Sequence, residues 1–581
     1  MPSSDTHVSR SRVFPAVRSP PSSSALSIID SSVSNYTTCG ALFGFPAPTS
    51  PFAGIYSPDV LTRSLELVLT RYPQLCGTLR LVEYDPTLAR NDHTKRFGRV
   101  ELLWGGEHHR GLDLVFATRS GAVSSILPRQ AGTGPGTGTG VYDVSSADRD
   151  LFVSPDAIVR LRGPDEGRGA IGVKVTTFSE GGISIAVGMH HTLGDAQTLS
   201  LFVGDWAMAH RSLLAGEEAP LDHIPLRPFE PLRLDGYAAG NVDAAEEDGA
   251  ILDEALRVPQ IRLDFWSSDE GKPPMISSPS RPPPEVAGLD EAMGRRRGTR
   301  IPWETWEWAK PVKDYLIDFS PDEVQRIWES AAVPTSSGSV GQTCDAGDAG
   351  DAGDVGDVGD VDAGAGAGGS SGAVSRLDAV LAHVWRIVTR SRGNEGLVHL
   401  DMSLGLRNRL TPALPPAFLG SPIINLTASL QTSSLLSSLP AAARSIRSTI
   451  ISSIPFLPAL IHHEAFALDP IREWNAFMGK EHLMVTSWLG IGAGEVDFGD
   501  GPAEWVCADM WPIDGLVVLM DKGTGRGWSE PRKTRGEDGR IGSGERLGNG
   551  RWHDNGVTIR LVLTEDDMAA VLADPDLRPR L

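Results

Sequence analysis

The stretch from Gly181 to Arg211 constrains the fold of this chain more than any other. It reads GGISIAVGMHHTLGDAQTLSLFVGDWAMAHR. Apolar residues alternate with small ones from Ile183 to Met189, which is the period of a β-strand with one buried face. The residues that then recur at helical spacing are Leu199, Phe202 and Trp206. The sequence therefore predicts a strand that turns sharply into a helix from about Asp195 onward, with His190 and His191 at the junction.

His191 stands where the strand becomes the helix, a position at which a rigid scaffold can expose a reactive side chain. A neutral imidazole, with an ordinary pKa of about 6.5, can take a proton from an alcohol or amine that attacks an acyl carbonyl. His191 is therefore the candidate general base. Asp195 could orient this imidazole, or it could cap the helix by accepting from the N–H of Gln197 or Thr198. Both interpretations stay open, because one carboxylate can do both.

The chain is long and acidic. Its 581 residues are too many for one ordinary core and predict two domains with insertions. The formal charge of −21 disfavours a nucleic-acid surface. The four cysteines lack CxxC spacing and the histidines lack HExxH spacing, so we expect no metal site. No apolar run approaches the ~18 residues of a membrane span, and we expect a cytoplasmic protein with no membrane span.

Two segments each allow two interpretations. The Ser- and Arg-rich start of the chain weakly resembles an organelle transit peptide, but Val8–Val17 can equally form an edge strand, which we favour. The tryptophans of Trp303–Trp308 could line a substrate pocket or anchor a crossover segment on the surface of a domain. We favour the anchor.

Low-complexity sequence interrupts the second half of the chain. Aspartate repeats every third residue from Asp345 to Asp360, with Gly, Ala or Val between. A calcium array would need richer ligands and a collagen helix would need proline, so residues 333–373 predict a disordered acidic insert. Order resumes with an amphipathic helix in Val374–Arg392, and a second extended loop is expected over residues 521–556.

Three motifs carry a resemblance to a known family. HHTLGD at His190–Asp195 resembles the HHxxxD signature of acyltransferases with the chloramphenicol-acetyltransferase fold, a signature that condensation domains share. LTRSLELVLTRYPQLCGTLRL at Leu61–Leu81 resembles the early helix and strand of BAHD acyltransferases. TSWLGIGAGEVDFGDGP at Thr486–Pro502 resembles their second hallmark, the DFGWG element. The chain thus resembles the BAHD family of HxxxD-type acyl-CoA-dependent acyltransferases, most closely its fungal, trichothecene O-acetyltransferase-like branch.

Three positions depart from the family pattern. Asp500 replaces the customary Trp of the DFGWG element, and Ala196 replaces the Gly that follows the motif aspartate. Ser421 replaces the usual Asn after Gly420 in a segment that resembles the family's "RsRl.PplP.gyfGN", and we expect this change to adjust a loop. None of the three removes the candidate base. The first two are expected to alter the shape of the donor channel.

The resemblance implies an α/β protein with a two-lobed chloramphenicol-acetyltransferase-like fold. Each lobe is expected to be a mixed β-sheet flanked by helices, with an active-site channel between the lobes. The implied domains are an N-terminal lobe with the HHTLGDA motif over residues 1–225, a crossover over 226–312, and a C-terminal lobe with the DFGDG motif over 313–581.

The resemblance also implies the activity. Acyl-CoA would enter the channel from one face and a small secondary metabolite from the other, so that the acyl group passes to a hydroxyl or amine at His191. Acyl-CoA is then a co-substrate, no cofactor or metal is permanently bound, and the protein is a monomer. The residues implied on the coenzyme A side are Ser487, Trp488, Phe498, Gly499 and Gly501. Asp497 and Arg407 are implied to be structural, and could pair with one another.

Two alternatives remain at this point. One is a condensation-type enzyme that uses a carrier-protein thioester, which the DFG element and the lack of an adjoining carrier domain disfavour. The other is a catalytically silent family member that acts as a partner protein. His191 and Asp195 argue against silence, whereas the altered residue Asp500 keeps it open.

Overall fold

A computed structural model describes most of the chain. The predicted acidic insert and the extended loop lie almost entirely outside the described residues, so their predictions are not tested. The residues outside the description are 1–4, 37, 50–53, 127–128, 131–139, 146–147, 163–166, 218, 275, 277–283, 285, 287, 290–297, 334–372, 523–551 and 580–581.

The described residues form an α/β protein, as the sequence predicts. The strands β1 to β20 are Thr6–Val13, Ser22–Ala25, Thr38–Phe45, Thr78–Leu81, Val100–Trp104, Leu112–Arg119, Arg129–Gln130, Val141–Asp143, Ile171–Phe178, Ile183–His190, Leu263–Asp264, Thr299–Arg300, Val312–Phe319, Leu397–Gly405, Ile423–Gln431, Glu473–Trp474, His482–Trp488, Trp505–Ala508, Leu516–Asp521 and Val557–Thr564. The helices α1 to α11 are Ile28–Ser32, Pro58–Arg71, Pro86–Ala89, Ala196–Leu214, Gly249–Ala255, Pro321–Ala332, Arg376–Ser391, Thr432–Ser437, Leu439–Ser453, Leu457–Ala465 and Glu565–Ala573.

Two large mixed sheets form the two lobes. The first has six strands in the order β1-β6-β9-β10-β3-β18, in which β6 and β9 run parallel and the other pairs antiparallel. The second has eight strands in the order β15-β14-β17-β19-β20-β13-β8-β7, with parallel pairs on both sides of β17. The N-terminal edge-strand prediction is confirmed, since β1 lies at the edge of the first sheet.

The two lobes interleave along the chain. Strand β18 joins the first sheet although it follows the DFGDG motif, and β7 and β8 join the second sheet although they precede the HHTLGDA motif. The predicted division at residues 225 and 313 is therefore not a division between the sheets. Each lobe needs strands from both halves of the chain to complete its hydrogen bonding.

The inner faces of the two sheets share one core. Ile185 and Val187 of β10 pack in the same buried cluster as Val518 of β19 and Val562 of β20. The outer face of the second sheet packs on helices α6, α7 and α9 in a separate cluster. Burial on both faces explains the long apolar runs in the strands of the second sheet.

The local signals in the sequence place the helices accurately. Asp195 caps α4, where its side chain accepts from the Thr198 N–H at 3.0 Å, as one of the two open interpretations predicted. Ser320 and Glu323 form the predicted capping box of α6. No helix among the described residues is long and apolar enough to cross a membrane.

The prediction that β10 has one buried face is wrong, because every residue of the strand is buried. The small side chains of its second face let another segment pack closely. A Cβ at Gly188 would stand 3.3 Å from the Cβ of Val153, and Ala186 lies in the cluster that contains Val153. Small residues at alternate positions here indicate close packing and not solvent.

The tryptophans of the crossover anchor it, as favoured from the sequence. Trp303 and Trp306 are buried in a cluster with Phe265 and Phe477. Phe265 in turn stacks on Trp474 with ring centroids 4.9 Å apart. These rings fasten the segment between the lobes to the surface and do not line the active site described below.

Candidate active site

The two adjacent histidines at the end of β10 have different environments. His190 is buried, and its Nδ1 lies 3.3 Å from the Thr192 backbone nitrogen and 2.9 Å from the Thr192 hydroxyl. Burial lowers the pKa of His190 to about 3, so the ring is neutral at pH 7. His190 therefore fastens the turn that follows the strand.

His191 begins that turn and its side chain is only partly buried. The Nδ1 of its ring lies 3.1 Å from the Ser421 Oγ, and the ring meets Tyr36 edge-on at 5.3 Å between centroids. The Tyr36 hydroxyl accepts from the Asn425 amide at 3.2 Å. Among the described residues, Nε2 of His191 has no hydrogen-bond partner, and it is the nitrogen left for a substrate.

The electrostatic environment keeps His191 neutral at physiological pH. Burial lowers its pKa below the ordinary 6.5, and the negative charge of Asp195 opposes this shift without reversing it. A neutral imidazole at pH 7 has the protonation state that a general base needs.

Asp195 binds an arginine from the other lobe. Its two carboxylate oxygens accept from the Arg407 guanidinium at 2.5 and 3.0 Å, and both side chains are buried. Burial would raise the pKa of Asp195, but the Arg407 charge outweighs it and the pKa lies below the ordinary 3.8. Asp195 is thus engaged by Arg407 and by the start of α4, and it makes no hydrogen bond to His191.

Arg407 therefore pairs with Asp195, and not with Asp497 as the sequence had suggested. Its guanidinium also donates to the Phe418 carbonyl at 3.0 Å. These bonds hold the loop that leads from β14 to β15, which belongs to the second lobe, against the start of α4, which belongs to the first. The ion pair between Asp195 and Arg407 therefore links the two lobes.

The loop between β14 and β15 contacts His191 directly. Gly420 has φ of +141°, a value that favours glycine, and its carbonyl accepts from the Asp195 N–H at 3.1 Å. The next residue, Ser421, donates its N–H to Asp30 at 2.7 Å and its hydroxyl to the His191 carbonyl at 2.5 Å. Ser421 is thus a site residue that the sequence analysis treated as a loop adjustment.

Two further residues at the site were missed. Tyr36 and Asp30 lie near the start of the chain, more than 150 residues before His191. A hint existed for Asp30, because it follows Ser27 by three residues in a capping pattern, and Ser27 does donate to it at 2.6 Å. Nothing in the local sequence of Tyr36 indicates that it would meet His191.

The DFGDG element folds back on itself. One carboxylate oxygen of Asp497 accepts from the N–H groups of Gly499 at 2.6 Å and Gly501 at 3.0 Å. Phe498 is fully buried, with Trp206 at 5.0 Å between ring centroids. Asp500, at the position of the customary Trp, accepts from the Thr49 N–H at 2.7 Å. The element is therefore a turn that the Asp497 hydrogen bonds stabilise and that Phe498 anchors in the core.

A small cavity of about 40 Å³ lies between the two sheets beside this element. It is lined by residues of both lobes, among them Trp488 and Met520 from the second sheet and Trp505 from the first. Of the residues predicted on the coenzyme A side, Trp488 lines this cavity, and Ser487 precedes it in β17. Phe498 is not among the residues that line the cavity, and its ring packs on Phe45 and Trp206.

A cluster outside the site, made of one histidine and two aspartates, consists of residue types that can bind a metal ion. Atoms of Asp92, His93 and Asp243 lie within 4.8 Å of one another. Both nitrogens of His93 already contact carboxylates, at 2.8 Å for Asp243 and 3.1 Å for Asp235. The cluster thus joins the crossover to the first lobe through a bridging imidazole.

Comparison with known proteins finds relatives among acyltransferases. The family model described as "Transferase family" matches residues 152–225 and 356–530. An acyltransferase of Alternaria alternata is 26% identical over 427 residues, which cover 72% of this chain and 71% of that protein. An acyltransferase of Leptosphaeria maculans is 22% identical and covers 95% of this chain and 93% of that protein. These matches support a member of the BAHD acyltransferase family.

Solved structures support the fold of the chain. TRI101 of F. sporotrichioides, complexed with coenzyme A and T-2, matches with a TM-score of 0.58 at 14% identity, covering 95% of this chain and 97% of that one. Vinorine synthase matches with a TM-score of 0.51 at 16% identity, covering 97% and 96%. The two-lobed architecture expected from the resemblance is therefore confirmed.

Proposed function

We propose that this BAHD acyltransferase moves an acyl group from acyl-CoA to a hydroxyl, or to an amine, of a small secondary metabolite, with His191 as the general base. The observation that carries the proposal is the state of the His191 ring. It is neutral at pH 7, held through Nδ1, and its Nε2 has no partner among the described residues.

The reaction follows from this arrangement. Nε2 of His191 takes the proton of the acceptor hydroxyl as the acceptor oxygen attacks the thioester carbonyl carbon. The tetrahedral intermediate then collapses, the carbon–sulfur bond breaks, and the proton on Nε2 passes to the departing thiolate. General base catalysis contributes about 10²–10⁴-fold, and holding both substrates in one channel supplies much of the rest.

We propose the donor from the ligands of proteins that are similar to this chain. Two structures of TRI101, which share the fold, are complexes with coenzyme A together with T-2 or deoxynivalenol. One relative is named for a hydroxycinnamoyl-CoA donor and a piscidic acid acceptor, and another for putrescine. We propose that the cavity beside Trp488 belongs to the donor side of the channel. An alcohol is the leading acceptor and an amine the second.

Further parts of the proposal concern the state of the protein. We propose that it works as a monomer in the cytoplasm, with acyl-CoA as its co-substrate and no resident metal. Asp195 and Arg407 serve the reaction by fixing the turn that carries His191, and Asp497 by fixing the DFGDG turn. A stable turn matters because a displacement of about 1 Å at a reacting group can cost ~10²-fold in rate.

The test is acceptor-dependent release of free thiol from acetyl-CoA and longer acyl-CoAs, with a panel of polycyclic alcohols and amines. Wild type should release thiol with at least one donor and acceptor pair. His191→Ala should lose about 10²–10⁴-fold in kcat/KM. His223→Ala is the matched control, because His223 is a largely exposed histidine paired with Glu217 and should leave the rate unchanged.

Other outcomes would decide against the proposal. Equal rates in wild type and His191→Ala would exclude His191 as the base. If no donor releases thiol and coenzyme A does not raise the thermal unfolding midpoint, the chain is a non-catalytic partner protein. Transfer from a carrier-protein thioester, with none from acyl-CoA, would instead indicate a condensation-type enzyme.

A further inference from the structure

The contact between Ser421 and His191 contains two hydrogen bonds that constrain each other. The Ser421 Oγ lies 2.5 Å from the His191 carbonyl oxygen and 3.1 Å from Nδ1 of the same residue. A carbonyl oxygen cannot donate, so the single hydroxyl hydrogen of Ser421 lies toward that carbonyl. Toward Nδ1 the serine oxygen can therefore only accept.

Because the Ser421 oxygen can only accept from Nδ1, this contact determines which ring nitrogen of His191 carries the hydrogen. A neutral imidazole carries a hydrogen on one of its two nitrogens, and here that nitrogen is Nδ1 because it must donate to Ser421. Nε2 then keeps its lone pair. We propose that Ser421 is a positioning residue that sets the tautomer and the orientation of His191, so that Nε2 can accept a proton.

The role falls to Ser421 because the other candidate is occupied. Asp195, the residue that the motif suggested for orienting the imidazole, uses its two carboxylate oxygens on Arg407 and on the Thr198 N–H. Across the ring, Tyr36 offers an edge contact and no hydrogen bond to a ring nitrogen. Among the described residues, Ser421 is the side chain that hydrogen-bonds to the His191 ring, and the ring also interacts with the backbone of its own residue.

Ser421 is itself held from several sides. Its N–H donates to a carboxylate oxygen of Asp30 at 2.7 Å, and the other oxygen of Asp30 accepts from Ser27 at 2.6 Å. The preceding Gly420 brings the loop close, since a Cβ there would stand 3.1 Å from the Asp30 carboxylate in a left-handed conformation. Ser421 is fully buried. A serine fixed in this way can impose its geometry on the ring, because it loses little freedom in doing so.

The tautomer is the first thing to measure, and it needs no variant and no substrate. The full-length protein with ¹⁵N-labelled histidine is observed by NMR above the pKa of His191, and the resonance of His191 among the 14 histidines is assigned by its absence in His191→Gln. We expect a protonated Nδ1 and an unprotonated Nε2. A hydrogen on Nε2, or rapid exchange between the two tautomers, would overturn the proposal.

Variants then test whether Ser421 sets this state. Ser421→Cys keeps nearly the same volume with a weak acceptor, and Ser421→Ala removes the acceptor. Both should mix the tautomers and lower kcat by about 10- to 100-fold, by analogy with the loss that follows removal of the hydrogen-bond partner of a metal-bound histidine. The KM for acyl-CoA should be unchanged. Ser421→Thr, which keeps the hydroxyl, should retain the Nδ1–H tautomer.

Ser429→Ala is the matched control. Ser429 lies on β15, and its hydroxyl contacts Nδ1 of His399 at 2.8 Å, so the same kind of Ser–His pair is removed away from His191. It should change neither the His191 resonance nor kcat. A Ser421→Ala protein that keeps the wild-type tautomer would refute the role of Ser421.

The catalytic part of this inference rests on the proposed function, whereas the tautomer does not. If the protein transfers no acyl group, the NMR result still reports on Ser421 and His191. If it transfers one with His191 as base and Ser421→Ala is fully active with mixed tautomers, the proposed function stands and the positioning role is wrong.

Discussion

Removing the Asp195 carboxylate should destabilise the protein strongly, because it leaves a buried arginine without its partner. The Arg407 side chain is 3% exposed and Asp195 10% exposed, and the pair is bidentate. Leaving one charge of such a pair unpaired costs about 3–5 kcal/mol, and losing a helix cap costs about 1 kcal/mol more. Asp195→Ala should therefore lower the free energy of unfolding by about 4–6 kcal/mol.

The interaction itself is isolated by a double-mutant cycle. Arg407→Met alone leaves a carboxylate that can be protonated and can still cap α4, so it should cost less than Asp195→Ala. The double variant leaves no unpaired charge and should lose less than the sum of the two single variants, by about 2–3 kcal/mol. The measurement is guanidinium unfolding followed by tryptophan fluorescence, with the first transition fitted for each variant.

An exposed ion pair provides the control. Asp156 and Arg160 lie 2.5 Å apart but their side chains are 71% and 53% exposed. Asp156→Ala should change the free energy of unfolding by no more than about 0.5 kcal/mol. Two results would refute the stabilising role of the Asp195–Arg407 ion pair between the lobes. One is that Asp195→Ala is as stable as Asp156→Ala. The other is that the stability losses of Asp195→Ala and Arg407→Met add fully in the double variant.

Two further predictions follow from the same geometry. The kcat/KM for acyl transfer should fall on acidification with a midpoint below pH 6.5, because burial disfavours the imidazolium form of His191 and the neutral ring is the base. A pH–rate profile checks this, and a midpoint above 6.5 would contradict it. Phe498→Ala should lower the free energy of unfolding by about 3–5 kcal/mol, because a fully buried ring is removed. Unfolding and steady-state kinetics of Phe498→Ala check this prediction. Unchanged stability together with a higher KM for acyl-CoA would contradict it and would mean that Phe498 contacts the donor.

The sequence predicted the elements around His191 because their signals are local. The alternation that ends at Met189 and the apolar spacing after Asp195 lie within thirty residues of each other, and the structure has β10 and α4 there. The capping box at Ser320 was likewise legible, since its two residues are three apart. Such patterns do not show what packs on each face of a strand. For this reason the small residues of β10 were taken to indicate an exposed face.

The partners of the site residues were harder to predict. Arg407 could have paired with Asp195 or Asp497, since charge alone does not choose between carboxylates that are distant in sequence. The interleaving of the lobes has the same origin, because β18 finds its place beside β3 through backbone hydrogen bonds that leave no mark in either sequence.

The sequence by itself determined that His191 stands at the junction of a strand and a helix, and that the chain carries three motifs that resemble those of BAHD acyltransferases. It could do so because periodicity and motif spacing are properties of neighbouring residues. Only the tertiary structure decided that Asp195 binds Arg407 and that Ser421, 230 residues after His191, hydrogen-bonds to the His191 ring. Such contacts arise when the two sheets pack around a shared core, and packing joins residues that the order of the chain keeps apart.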